Sequence, residues 1–193
     1  HGAVTREEAV GLLGEGVLER VKAISHDCKA KDLVYVGTTQ KYGTRVHLNR
    51  VFAEAGVKIL TGDVCFHYYA GYGGGRKSVL PAVSGEETIK HNHAMILHPN
   101  SRTGVLDGNP VHEDMVEAAR LASVDFILNV VTNSKGEVVR AYAGDLGQAF
   151  YEGVKVVDEM YRIPVDRKAD IVVVSPGGHP ADVDLFQAYK GID

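Results

Sequence analysis

The sequence is short of several things, and each shortage removes a class of protein. Cysteine occurs only twice in 193 residues, at Cys28 and Cys65. Two cysteines cannot make a disulfide framework, so reduced thiols in a cytoplasmic protein are expected. No apolar run approaches the roughly 18 residues of a membrane span, and no secretory leader is recognisable. A soluble protein with no membrane partner is therefore expected. Positive charge is not in surplus: 21 Lys and Arg stand against 25 Asp and Glu, for a net charge of −4. That balance lacks the basic footprint of a nucleic-acid binder. Familiar ligand motifs are also missing. There is no H-E-x-x-H zinc pattern. Arg76 before Lys77 breaks a Walker A loop, and the same arginine stands where G-x-G-x-x-G, counted from Gly71, needs a glycine.

What remains is ordinary globular material, 45% hydrophobic and 24% charged, long enough to bury a core without staples. Thr5-Arg6-Glu7-Glu8 reads as a capping box, followed by helical spacing through Val17, Val21 and Ile24. Strands are expected over 32–37, 57–65, 124–131 and 169–175. Helices are expected over 44–55, 84–97, 109–122 and 145–162, with Asn109-Pro110 as an N-cap followed by proline at the first helical position. Alternating strands and helices, with strands apolar on both sides, predict an α/β fold: a parallel sheet with helices on both faces, Rossmann-like. A charged linker at 162–168 carries Pro164, so residues 1–164 are expected to form the main domain and 165–193 the start of a second α/β lobe. The chain opens on His1, either native to a longer protein or the trace of a tag, and a piece of a longer protein is expected.

The densest chemistry lies in Gly62–Gly85, GDVCFHYYAGYGGGRKSVLPAVSG, between a strand and a helix, where open α/β sheets hold ligands. Gly71, Gly73, Gly74 and Gly75 would let backbone amides approach an anion, with Arg76 and Lys77 adding charge. A flexible turn with a solvated Arg-Lys pair is the plainer alternative. His67, at the head of this loop, is placed to move a proton near neutral pH. His91 and His93 stand about 200° apart around a helix, so they do not share a metal easily. His93 falls on the side of Ile89, Ile96 and Leu97 and points inward, which by itself is commonest for a core histidine. A second glycine turn, Ser175-Pro176-Gly177-Gly178-His179-Pro180, is as much a tight turn as an anion pocket.

HYYAGYGGGRKSVLP (67–81), HNHAMI (91–96) and LDGNPVHEDMVEAARLASVDFILNVV (106–131) resemble the nickel-dependent lactate racemase family, over almost the whole chain. The resemblance implies a racemase or epimerase of a 2-hydroxy acid, lactate or a related acid. Its cofactor would be a nickel-pincer nucleotide joined to Lys77 and supplied by cofactor-synthesis enzymes. It further implies that His93 ligates nickel, that His1 and His67 are the acid and base, and that Gln187 and Lys190 hold the substrate. Gly2, Gly73, Ala82 and Phe186 depart from the usual family residues, and the family's arginine clamp for the substrate carboxylate has no counterpart here. This piece alone is therefore expected to be inactive. The rivals are a nicotinamide-dependent dehydrogenase, which the missing dinucleotide fingerprint weakens, and a nucleotide- or anion-binding regulatory domain without catalysis.

Overall fold

The computed structural model describes residues 4–175, 177–179 and 183. The chain runs through α1 (Arg6–Leu13), α2 (Glu15–Leu18), β1 (Val34–Thr38), β2 (Arg45–Leu48) and α3 (Arg50–Glu54). It continues through β3 (Ile59–Asp63), β4 (Phe66–His67), β5 (Gly71–Tyr72), a 3-10 turn (Gly75–Ser78) and α4 (Glu86–Ala94). A second 3-10 turn (Met95–Leu97), α5 (Pro110–Leu121), β6 (Phe126–Thr132), β7 (Val138–Gly144) and α6 (Gln148–Tyr161) complete it. None of the described helices is long and apolar enough to cross a membrane.

The fold is α/β, but its sheet is mixed rather than uniformly parallel. β3 pairs parallel with β6, and β7 closes back antiparallel on β6 through the turn at Asn133 to Gly136. β1–β2 and β4–β5 are separate two-stranded antiparallel ribbons. The expected parallel sheet covered on both faces is thus corrected. α6 packs against β6 and β7 on the inner side, where Leu60, Ile127 and Val131 are buried. The outer side leaves Ile59, Phe126 and Leu128 exposed, so apolar residues on both sides of a strand do not here mean two covered faces.

Three further expectations are corrected. Residues 44–55 are not one helix: Val46 and Leu48, two apart and both fully buried, make a strand, and Asn49 caps only the short α3 through the amide of Phe52. A two-residue repeat places both side chains on one face only in extended chain. Residues 169–175 form no strand; Ile171, Val172 and Val173 are largely exposed. α1 keeps its capping box at Thr5 and Glu8, yet stops at Gly14, whose φ of 80° breaks the helical run. Of the rest of the expected second lobe only residues 177–179 and 183 are described.

The core is closed where α5 crosses under the glycine-rich segment. On α5, Asp114 is wholly buried and accepts hydrogen bonds from Thr39 (2.7 Å), Thr44 (2.9 Å) and Asn92 (2.8 Å). One carboxylate thereby ties α4 and the β1–β2 turn to α5. Asp114→Ala would strand three buried donors. A loss of at least about 3 kcal/mol is expected from urea unfolding midpoints, since each unmet buried group costs about 1–3 kcal/mol; a change below about 1 kcal/mol would contradict this role.

Candidate active site

The segment from His67 to Lys77 is a tight hairpin followed by a 3-10 turn, and its glycines are there for space. Gly71 has φ 77°, and a Cβ on it would lie 2.2 Å from the Val105 carbonyl oxygen. Gly74 has φ 79°, and its Cβ would meet the Asp63 carbonyl oxygen at 2.9 Å. The amides of Gly73 and Gly75 are spent inside the chain, on the Cys65 carbonyl and the Asn129 side chain, both at 2.7 Å. The expected open amide cradle therefore keeps only part of its donors. Arg76 is 1% exposed and turns inward, donating to the carbonyls of Ala70 and Gly74 and lying 4.5 Å from the centre of the Phe150 ring.

Lys77, the next residue, faces other partners. Its Nζ lies 2.9 Å from His67 Nε2 and 5.6 Å from the centre of the Tyr69 ring. Tyr69 stands edge-on to both His67 (4.6 Å) and His93 (5.2 Å). One amine and two imidazoles are thus gathered around a single buried tyrosine. Burial keeps the Tyr69 hydroxyl protonated far above the ordinary tyrosine range. It also holds His93 below the ordinary histidine value, and positive charge on Lys77 pushes the same way.

The Ala70 amide donates to His67 Nδ1 at 3.2 Å, so in the neutral ring the proton sits on Nε2, the nitrogen beside the Lys77 amine.

α4 presents its two histidines differently. His91 is exposed, whereas His93 is half-buried against Tyr69. Asn92 between them is anchored to Asp114 and to the Val111 carbonyl, which fixes the rotation of the helix. Among the described residues no three His, Cys, Asp or Glu side chains come together to hold a metal. His1, Gln187 and Lys190 lie outside the described residues. Sequence reading missed Tyr69, although two tyrosines directly after His67 were a visible signal, and it missed the Asn92–Asp114 anchor, which joins segments 22 residues apart.

Fold and cluster together define a mixed α/β domain that presents an amine between two imidazoles. The lactate racemase N-terminal domain family matches residues 1–104, and the chain belongs to that family. It is 36% identical to a lactate racemase of Thermoanaerobacterium thermosaccharolyticum over all of this chain and 45% of that protein. It is 37% identical to a lactate racemase of Lactiplantibacillus plantarum over all of this chain and 46% of that one. The chain thus spans less than half the length of these curated relatives. The solved lactate racemase apoprotein from T. thermosaccharolyticum superposes with a TM-score of 0.93 at 36% identity, covering all of this chain and 46% of that one. A Thermotoga maritima protein shares the fold alone, with a TM-score of 0.69 at 19% identity over 82% of this chain and 44% of that one.

His112, on α5 behind the hairpin, is 3% exposed, and burial together with the Arg76 charge pulls its pKa down to about 3. An unfolded histidine titrates near 6.5, so the folded state binds fewer protons between these values. The stability this contributes is full above about pH 6.5 and is lost as pH falls toward 3, by a few kcal/mol at most. Urea unfolding across this range is expected to show the decline, and His112→Gln a smaller slope. Equal slopes for the two proteins would contradict the assignment.

Proposed function

We propose that this chain is part of a 2-hydroxy acid racemase or epimerase, acting on lactate or a related acid, in which Lys77 carries a nickel-pincer nucleotide. The observation that carries the proposal is the 2.9 Å contact between Lys77 Nζ and His67 Nε2, with His93 across the Tyr69 ring. The residues present fit such a group. A lysine amine is the attachment point that a thioamide link needs. A single inward imidazole suits a borderline metal whose other ligands come with the cofactor.

When bound, the nucleotide supplies reversible hydride acceptance at the substrate carbon. The chain's own residues do the rest. His93 holds the metal from α4. His67 moves the hydroxyl proton at Nε2 on one side of the substrate, and His1 does so on the other. Tyr69 fills the floor between them and keeps its proton. Gln187 and Lys190 hold the substrate. A lone lysine fixes a carboxylate less firmly than a bidentate arginine, and misplacement of about 1 Å costs about a hundredfold, so these 193 residues alone are expected not to turn over.

Intact mass spectrometry after co-production with the cofactor-synthesis enzymes tests the attachment. The unaltered protein is expected to gain a nucleotide-sized adduct and Lys77→Ala to gain none. An adduct on Lys77→Ala would overturn the proposal.

A further inference from the structure

His67 is engaged with a partner that proton transfer at a substrate does not call for. Its ring is fixed from within its own hairpin. The Ala70 amide donates to Nδ1 at 3.2 Å, the Tyr68 ring stacks on it at 4.9 Å, and the Tyr69 ring meets it edge-on at 4.6 Å. With the ring plane set in this way, Nε2 lies 2.9 Å from Lys77 Nζ.

Lys77 gains a direction from this contact. A lysine is a point charge on a flexible stem and has no preferred orientation of its own. Here the stem leaves the 3-10 turn, where the Lys77 amide donates to the Gly74 carbonyl at 3.2 Å. Its Nζ lies 5.6 Å from the centre of the Tyr69 ring and ends on His67. The turn and a histidine ten positions earlier thus hold the nitrogen at one point of the cluster. A group held in place before its reaction partner arrives reacts faster than one that must first be found. The imidazole Nε2 makes one hydrogen bond at a time. Its contact with Lys77 and a contact with a substrate hydroxyl therefore exclude one another.

Given attachment of the nucleotide at Lys77 as read above, we propose that His67 is also the positioning residue for that attachment. Its Nε2 holds Lys77 Nζ in place until the cofactor is joined to it, and only afterwards serves the substrate. The step is a condensation. The Lys77 nitrogen bonds to the carbon of a thiocarboxylate on the incoming nucleotide, and a carbon–oxygen bond of that group breaks. From ammonium and thiocarboxylate, the oxygen leaves as water with two of the nitrogen's hydrogens. The product is the neutral thioamide, and nothing is oxidised or reduced. Its nitrogen is conjugated as a peptide nitrogen is, so it no longer offers the lone pair or the ammonium hydrogens of the unloaded side chain. The contact that held Lys77 is thereby given up, and Nε2 is released. One ring carries two duties in a fixed order, loading before turnover.

The test separates the two ring nitrogens. In His67→Asn the side chain reaches only the place of Nδ1 and keeps an acceptor for the Ala70 amide. In His67→Gln it reaches the place of Nε2 and keeps a hydrogen-bonding group for Lys77. The unloaded longer protein is mixed with the nucleotide made by the cofactor-synthesis enzymes, and the adduct is followed over time by intact mass spectrometry. Unaltered protein and His67→Gln are expected to load at similar rates. His67→Asn is expected to load about tenfold more slowly, the loss that one hydrogen bond carries. Loaded His67→Gln is expected not to racemise, since an amide does not carry a proton, and turnover by it would overturn the double duty. His67→Asn loading as fast as the unaltered protein would overturn the proposal, as would His67→Gln loading as slowly as His67→Asn, and both results would leave attachment at Lys77 standing. No adduct on the unaltered protein would overturn the attachment itself and this proposal with it.

Discussion

Burial of one guanidinium organises the centre of this molecule. Arg76 reaches back under its own loop to the carbonyls of Ala70 and Gly74 and stacks on Phe150 of α6. It thereby links the β4–β5 hairpin, the 3-10 turn and the last helix through one side chain. The same turn packs against β3 on one side and α5 on the other. Because Arg76 takes the inward direction, Lys77 on the same turn is left to face His67 and Tyr69. The direction of the Lys77 amine is set by where its neighbour's charge is stored.

The opposite wall of the cluster is held by different chemistry. α4 contributes His93 from a rotation fixed by Asn92, whose amide reaches both Asp114 and the Val111 carbonyl. Neither anchor contributes a side chain to the cluster, yet together they decide that Lys77, His67 and His93 meet around Tyr69. A preorganised site of this kind spares the cost of ordering side chains when a ligand arrives. Membership of the lactate racemase N-terminal domain family gives the arrangement its chemical context.

What was legible in the sequence was local. Asn109-Pro110 predicted the start of α5, and the structure has Asn109 accepting the amides of Val111 and His112. β1, β3 and β6 stood out as short β-branched runs, and His93 is the half-buried histidine of α4, as expected. Ile96 and Leu97, expected on the same inward face, are exposed, because the helix gives way to a 3-10 turn at Met95. What was not legible depends on partners far along the chain. β7 has a largely exposed pattern with little contrast, and its partner is known only once the hairpin at Asn133 closes. Val46 and Leu48 looked helical because Val51 and Phe52 follow them, and only their joint burial reveals a strand. Arg76 read as an anion contact beside Lys77, since nothing local told of Phe150, 74 positions later.

The central claim is that α4 turns His93, and not His91, toward the amine of Lys77 as a metal ligand. Nickel-edge X-ray absorption on the longer, cofactor-loaded protein tests it most directly. The account predicts imidazole scattering from one ring that persists in His91→Ala and disappears in His93→Ala. Loss of that scattering in His91→Ala, with retention in His93→Ala, would contradict it.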